Sequence, residues 1–180
     1  QFGLVGSEMC IRDRDKVNNK ILKDNFDYVV VSTGHFSVPY IPEYKGMSSF
    51  PGRIMHSHDF RDAEEFRGKN IVVLGSSYSA EDVALQCNKY GAKSVTIGYR
   101  HNPMGFKWPN GMKEVHYLDR LEGKKAFFKD GTEQETDVVI LCTGYLHHFP
   151  FLEQDLQLKT RNRLYLSLIH ISEPTRPNCI

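Results

Sequence analysis

The stretch 70–80 reads NIVVLGSSYSA, and this run decides the fold class of the chain. An apolar, β-branched segment over 70–74 is followed by a glycine turn at Gly75 and by helix-forming residues as far as Tyr90. That order predicts a strand over 70–74, a tight turn, and a helix over about 79–90.

The residues after this helix complete the pattern. Gly91 stands where a helix commonly ends, because glycine adopts the left-handed backbone conformation without strain. Ser94–Tyr99 is again apolar and β-branched, so we expect a second strand there. The two strands and the helix form a βαβ unit, which is the building block of α/β folds with a parallel sheet.

The turn at Gly75 has the position of a dinucleotide site. In such turns the first glycine permits a sharp bend, and N–H groups at the helix N-terminus accept a pyrophosphate. Ser77 and Ala80 replace the second and third glycines of the usual G-x-G-x-x-G pattern. Alanine is accepted at the third position, whereas Ser77 adds a side chain where phosphate approaches. The context favours a nicotinamide dinucleotide site, and a turn without a ligand is the alternative.

Arg100 directly follows the second strand of the βαβ unit. The residue at this position normally meets the adenosine ribose, where an acid favours NAD and a base accommodates the 2′-phosphate of NADP. Arg100 therefore favours NADP over NAD.

Two strand-like segments that end in Thr-Gly divide the chain, one over 27–34 and one over 137–144. Both are continuous apolar runs, as expected for strands that are covered on both faces. Between them, segments 126–128 and 132–135 flank an Asp-Gly turn and predict a hairpin. The stretch 35–44, with two prolines, is expected to be an extended linker between domains.

Composition excludes several classes of protein. With 23 Lys+Arg against 22 Asp+Glu, no basic excess points to a nucleic-acid partner. The longest apolar run, Val138–Cys142, is too short to span a membrane, so we expect a soluble protein. Cys87 and Cys142 lie far apart without a paired spacing, so we expect a reducing, cytoplasmic environment. The sequence has no Gly-x-Ser-x-Gly elbow and no Cys-x-x-Cys pair, and it therefore offers neither a hydrolase nucleophile nor a dithiol centre.

Two histidine pairs, His56 with His58 and His147 with His148, invite a metal-site interpretation. Two histidines without a third ligand nearby make a poor zinc site, so we favour structural packing and predict no metal. The aromatic and basic run 99–108 is better explained as a loop over the dinucleotide than as a nucleic-acid surface, because the overall charge is near neutral.

The two ends of the chain are expected not to belong to the protein. Peptides 4–13 and 166–176 can be encoded by opposite strands of one DNA element that resembles a transposase-type sequencing adapter. We therefore exclude 1–14 and 166–180 from fold prediction, as vector-derived residues are excluded.

The pattern Phe50-x-Gly52-x-x-x-His56-x-x-x-Phe60 resembles the identifying signature of the flavin-containing monooxygenases. Phe60 separates the chain from the related Baeyer–Villiger branch, which usually has Trp at that position. Three further stretches, 75–82, 103–109 and 142–151, narrow the resemblance to a bacterial branch whose expected substrate is trimethylamine, oxidised to trimethylamine N-oxide. The likeness runs from about Phe26 to Tyr165.

The resemblance implies a Rossmann-like NADP-binding domain inserted in an FAD-binding domain that is incomplete here. Residues 15–36 and 137–165 are expected to belong to the FAD-binding domain, and residues 37–136 to the NADPH-binding domain with its linker. In that family NADPH reduces FAD, and O₂ is then activated for transfer to a soft nitrogen or sulfur atom. The cofactors carry the chemistry, so no catalytic side chain is predicted, and the fragment alone is expected to be inactive.

The resemblance also implies which residues contact the dinucleotide. The turn would bind the pyrophosphate and nicotinamide side, and Arg100 would pair with the 2′-phosphate, beside its neighbour His101. The signature residues are interpreted as architecture at the domain junction. The cofactor-binding residues predicted are Gly75, Ser76, Ser77, Tyr78, Ser79, Arg100 and His101.

Other functions stay open from the sequence alone. The chain is alternatively an isolated NADP(H)-binding module without oxygenase activity, or part of a Baeyer–Villiger monooxygenase. A disulfide reductase of related architecture would need the missing Cys-x-x-Cys. The sequence does not determine the oligomeric state, and a homodimer is one of the assemblies it allows.

Overall fold

The computed structural model describes residues 9–15, 17–26, 30, 32–146 and 148–151. The strand predicted over 27–34 falls mainly outside the described residues, as do His147 and the whole of 152–180. The chain divides into two compact units, one of which is Val38–Leu146 and the other of which comprises Gln1–Ser37 and His147–Ile180.

The second of these units contains an antiparallel hairpin of β1 (Met9–Asp15) and β2 (Lys20–Phe26). Most of β1 lies in the segment that we expect to derive from an adapter. The assignment of this unit to an FAD-binding domain stays a prediction.

Unit Val38–Leu146 contains one α-helix, α1 (Tyr78–Lys89), and ten strands. The strands are β3 (Val38–Pro39), β4 (Arg53–His56), β5 (Asn70–Leu74), β6 (Ser94–Tyr99), β7 (Met112–His116), β8 (Leu118–Glu122), β9 (Lys125–Phe128), β10 (Glu133–Glu135), β11 (Val138–Leu141) and β12 (Tyr145–Leu146). Three short 3-10 turns, Met47–Ser49, Ser57–Asp59 and Glu64–Phe66, lie in the connections.

Five strands form a parallel sheet in the order β4-β11-β5-β6-β7. Strands β8, β9 and β10 form a separate antiparallel sheet. The predicted βαβ unit is confirmed, since β5 and β6 have the predicted bounds, pair in parallel and are joined by α1. The hairpin of β9 and β10 is also confirmed, and Gly131 in its turn has φ +84°.

Helix α1 ends as its sequence predicts. Gly91 has φ +89°, its N–H donates to the Asn88 carbonyl at 3.0 Å, and the Ala92 N–H donates to the Cys87 carbonyl at 3.0 Å. These two bonds are those of a Schellman cap. The chain therefore turns directly from α1 into β6.

The parallel sheet is buried on both faces. Ile71 and Val73 pack toward α1, whereas Val72 and Leu74 belong to the core beneath the antiparallel sheet. All four side chains are fully buried. Burial of each such side chain contributes about 1.5–3 kcal/mol. Cover on both faces explains why β5 is a continuous apolar run instead of an alternating one.

The second Thr-Gly strand lies inside the sheet. Strand β11 pairs with β4 on one side and with β5 on the other, and all its residues are buried. The compact unit continues to Leu146, because β11 is one of the strands of its sheet. The assignment of residues 137–165 to the FAD-binding domain stays a prediction.

The two ends of this unit lie side by side. Strand β3, from the predicted linker 35–44, pairs antiparallel with β12 through Tyr145↔Pro39 and Leu146↔Val38. The Tyr40 N–H donates to the Gly144 carbonyl at 2.9 Å, and the Thr143 hydroxyl donates to the Tyr40 carbonyl. The chain thus enters and leaves the unit through one small ladder that includes the second Thr-Gly pair.

Candidate functional site

The turn after β5 requires glycine at its first position. Gly75 has φ +145°, a conformation that side chains with a Cβ rarely adopt. Its N–H donates to the Gly98 carbonyl at 3.0 Å, which ties the turn to β6. A Cβ added at Gly75 would lie 2.4 Å from the Cys142 carbonyl oxygen at the end of β11. The backbone of three neighbouring strands therefore converges at this turn.

Helix α1 begins directly after the turn and faces solvent with its hydroxyl-bearing residues. Ser77 is the N-cap residue, and its carbonyl accepts the N–H groups of Ala80 and Glu81 at 2.8 and 3.1 Å. The N–H groups that precede these two have no partner within the helix, and they carry the positive end of its dipole. The residues from Ser76 to Ser79 are exposed.

Tyr78 has 87% of its surface accessible. Together with the bend at Gly75, the exposed turn has the shape and polarity that a phosphate group requires. The Ser77 side chain is exposed and makes no capping hydrogen bond. The structure thus places the five predicted turn residues together at one end of the sheet.

Arg100 lies at the same end of the sheet as the turn. Because Leu74 pairs with Gly98 in the parallel register, Gly75 and the residues that follow Tyr99 lie at the carboxyl edge of adjacent strands. Arg100 is exposed and lines a cleft of about 220 Å³. His101 is also exposed but is not among the residues that line this cleft.

Several residues that line the cleft with Arg100 were not predicted. His116 ends β7, the parallel neighbour of β6, and Lys129 lies in the turn between β9 and β10. His116 ends a short strand of mixed polarity, which the sequence alone does not identify as a strand. The position of Lys129 depends on where the antiparallel sheet packs, which no local pattern encodes.

Two tyrosines form part of the cleft wall. The hydroxyl groups of Tyr44 and Tyr117 hydrogen-bond to each other. Burial raises the pKa of Tyr44 far above its usual value, and the bond to Tyr117 raises it further, whereas the charge of nearby Arg100 opposes both. Tyr44 therefore stays neutral, and its hydrogen bond to Tyr117 holds two elements of the cleft together.

The loop that follows Arg100 is anchored by one carboxylate. Glu114 on β7 accepts the N–H groups of Met104 and Gly105 at 2.6 and 3.0 Å. Trp108, farther along this loop, packs against the core on the helix side of the sheet. Coverage of a bound dinucleotide by this loop remains a prediction.

The signature residues Phe50, Gly52 and Phe60 occupy structural positions. Phe50 is buried in the core below the antiparallel sheet, and Phe60 stacks on Phe66 with ring centroids 6.0 Å apart. A Cβ at Gly52 would lie 2.4 Å from the Asp137 carbonyl oxygen and 2.5 Å from the Phe50 ring. Each of these residues therefore joins β4 and its flanks to the rest of the unit.

His56 connects the signature strand to the ladder of β3 and β12. It is 2% exposed, its Nε2 lies 3.0 Å from the Gly144 carbonyl oxygen, and its Nδ1 accepts the His58 N–H at 3.0 Å. These contacts fix a neutral ring with the proton on Nε2. Both ring nitrogens are occupied, which explains His56 as a packing residue. Within the described residues, no group of three metal-ligating side chains is present.

The environment of His56 predicts a pH-dependent stability. Burial lowers the pKa of His56 below 6.5 despite the hydrogen bond to Gly144. The unfolded chain therefore binds a proton more readily, so the free energy of unfolding is highest above pH 6.5 and falls as the pH drops below that value. We expect urea unfolding at about pH 5.5 to show lower stability than at about pH 7.5.

The variant His56→Gln should be less stable than the unsubstituted chain at about pH 7.5. Its free energy of unfolding should fall less on acidification than that of the unsubstituted chain. The variant His58→Gln is the matched control, because the His58 side chain is 40% exposed. It should retain the pH dependence. An unchanged pH dependence in His56→Gln would contradict this assignment.

Cys87 and Cys142 have structural positions. Cys87 and Cys142 are free and buried, and burial raises the pKa of each thiol to about 12. Such thiols are unreactive near neutral pH. The described part of the chain also contains no helix with the length and apolar character needed to cross a bilayer.

Two family models match the chain. Residues 20–116 match the pyridine nucleotide-disulphide oxidoreductase model, and residues 111–173 match the flavin-binding monooxygenase-like model. The first match covers more than half of the chain and includes both the glycine turn and Arg100.

Known relatives agree with these matches. The chain is 85% identical over 155 residues to a trimethylamine monooxygenase from Pelagibacter sp. strain HTCC7211, covering 86% of this chain and 35% of the relative. A crystal structure of Tmm from the same strain matches with TM-score 0.79 and 80% identity, over 91% of this chain and 37% of that one.

A more distant structure, S-allyl-L-cysteine S-oxygenase from Allium sativum, matches with TM-score 0.71 and 32% identity, over 83% of this chain and 35% of that one. The chain spans about a third of the length of the curated relatives it matches. By sequence and fold, the chain belongs to the pyridine nucleotide-disulphide oxidoreductase family, and it is similar over most of its length to part of the trimethylamine monooxygenases.

Proposed function

We propose that this chain supplies the NADPH-binding part of an NADPH- and FAD-dependent monooxygenase. Its substrate is a small molecule with a soft nitrogen or sulfur atom, with trimethylamine as the expected substrate and trimethylamine N-oxide as the product. The observation that carries the proposal is the glycine turn at the carboxyl edge of the parallel sheet, next to Arg100. Sheets of this kind bind nucleotides at that edge.

The residues of the turn have separate tasks in this function. Gly75 lets the backbone bend so closely that a phosphate can approach the start of α1. Ser76, Ser77 and Ser79 offer hydroxyl groups beside unpaired N–H groups, and Tyr78 extends an aromatic ring into solvent. We infer that these groups bind the pyrophosphate and orient the nicotinamide end.

Arg100 and His101 distinguish the nucleotide in this proposal. The Arg100 guanidinium lies at the exposed mouth of the cleft, where it can form paired hydrogen bonds with a 2′-phosphate. His101 lies beside it on the surface. The adenosine end therefore lies near β6, and the nicotinamide end lies near the start of α1.

The two cofactors supply the reducing equivalents and activate O₂ when they are bound. FAD is held mainly by parts of the protein outside this chain, in a domain into which the NADPH-binding domain is inserted. This chain's residues hold the pyridine nucleotide and exclude water around it. The chain alone does not turn over, and the whole protein is a cytoplasmic enzyme without a nucleic-acid or membrane partner.

A chimera tests the proposed function. Residues 15–165 replace the matching segment of the Pelagibacter relative, and NADPH oxidation is measured with trimethylamine, dimethyl sulfide or indole. We expect trimethylamine to stimulate oxidation and to yield trimethylamine N-oxide. If the chimera binds FAD and NADPH but none of the three compounds stimulates NADPH oxidation, the chain is an NADP(H)-binding module without oxygenase activity. Oxygen insertion into a ketone would instead indicate the Baeyer–Villiger branch.

A further inference from the structure

The cleft beside Arg100 brings basic groups from distant parts of the sequence together. Arg100 follows β6, His116 ends β7, and Lys129 lies in the turn between β9 and β10. The volume of about 220 Å³ is too small for a whole dinucleotide. It suits one phosphate group with the sugar that carries it.

The turn that carries Lys129 is held firmly against the end of β7. The Lys129 N–H donates to the Tyr117 carbonyl at 3.0 Å, and the His116 N–H donates to the Asp130 carboxylate at 3.1 Å. The Thr132 N–H and hydroxyl donate to the same carboxylate at 2.9 and 2.6 Å. Lys129 therefore extends from a fixed backbone.

Asp130 does not form an ion pair with its neighbour Lys129. Burial opposes ionisation of its carboxyl group, but the hydrogen bonds from Thr132 and His116 outweigh that effect and lower the pKa of Asp130. Its oxygens are thus committed to the turn. Among the ion pairs that the described residues form, none includes Arg100 or Lys129.

The charges around the cleft favour an anion. Arg100 and Lys129 carry one positive charge each, and Glu43 is the one acidic residue among the described residues that line the cleft. A phosphate monoester near neutral pH carries a charge of about −1.5 to −2. Arginine offers a planar pair of donors to such a group, whereas lysine acts as a mobile point charge.

We propose that Lys129 is a second specificity-determining residue for NADPH, which contacts the 2′-phosphate together with Arg100. This inference rests on the proposed binding of NADPH. It adds a residue 29 positions after Arg100 in sequence, which reaches the site only because the antiparallel sheet packs beside the carboxyl edge of the parallel one.

The test uses the chimera that contains residues 15–165, with two small probes that differ in the 2′-phosphate. Binding of 2′,5′-ADP and of 5′-AMP is measured by titration calorimetry. We expect Lys129→Ala to weaken the affinity for 2′,5′-ADP about tenfold. The affinity for 5′-AMP should change by less than about twofold. Lys129→Arg should restore most of the affinity, because it keeps the charge.

Lys124→Ala is the matched control, since Lys124 is an exposed lysine between β8 and β9 that does not line the cleft. It should leave both probes unaffected. Equal weakening of both probes by Lys129→Ala would indicate a structural role and overturn the inference, as would an effect no larger than that of the control. Weaker binding of inorganic phosphate with unchanged 2′,5′-ADP would assign the cleft to free anions. Failure of the unsubstituted chimera to bind NADPH would instead overturn the proposed function itself.

Discussion

Gly75→Ala should abolish most NADPH binding by the chimera that contains residues 15–165. A side chain at φ +145° strains the backbone, and this strain is on the order of 1–3 kcal/mol. The added Cβ would also lie 2.4 Å from the Cys142 carbonyl oxygen, so the turn and the end of β11 must separate. We expect a loss of at least about tenfold in NADPH affinity and a lower unfolding midpoint.

The control for this prediction is Gly123→Ala. Gly123 has φ +56° in the turn between β8 and β9, and a Cβ there would meet no atom within 4 Å. This variant also places a side chain at a positive φ, but it does so without the collision and away from the Gly75 turn. It should lower stability slightly and leave NADPH affinity unchanged. Similar NADPH affinities for the two variants would refute the assigned role of the Gly75 turn.

Arg100→Ala should convert the chimera from a strong preference for NADPH to near indifference between NADPH and NADH. Hydrogen bonds to charged groups contribute about 1.5–3 kcal/mol each. Removal of the guanidinium should therefore weaken the affinity for NADPH by about 10- to 100-fold. Because NADH lacks the 2′-phosphate, the affinity for NADH should change by less than about twofold.

Arg67→Ala serves as the control, because Arg67 is an exposed arginine that does not line the cleft. Dissociation constants for both nucleotides are obtained from fluorescence titrations of each variant. Equal losses of NADPH and NADH in Arg100→Ala would show that the guanidinium supports the fold of the site and does not read the phosphate.

The local part of the fold was predictable from sequence. The segment 70–99 contains a strand, a glycine turn, a capped helix and a second strand, and each is specified by residues close together in the chain. Gly91 is the clearest example, since its positive φ and the Schellman bonds require no distant contact. The turn residues of the site follow from this segment for the same reason.

The position of β11 could not be read from its own residues. Its buried apolar run predicts a strand with two covered faces, but that pattern is the same in either domain. Pairing with β4 and β5 is a contact between residues far apart in sequence. The extent of the compact unit to Leu146 follows from this pairing and not from the residues of β11, although the strand itself was predicted.

The rest of the cleft was missed for a related reason. Strands β7 and β8 are short and mix charged with apolar residues, so neither has the clear alternation that identifies a strand. Without them, the antiparallel sheet cannot be placed beside the carboxyl edge of the parallel sheet. The sequence therefore does not indicate that Lys129 and Tyr117 lie near Arg100, as they do in the structure.

Anaerobic reduction of the flavin shows directly whether this chain brings NADPH to FAD. The chimera with residues 15–165 is loaded with FAD and mixed with NADPH or NADH without oxygen or amine, and the absorbance of oxidised flavin is followed. We predict rapid bleaching by NADPH and much slower bleaching by NADH at equal concentrations. A chimera that holds FAD but is not bleached by NADPH would contradict the conclusion that this chain delivers the pyridine nucleotide to a flavin.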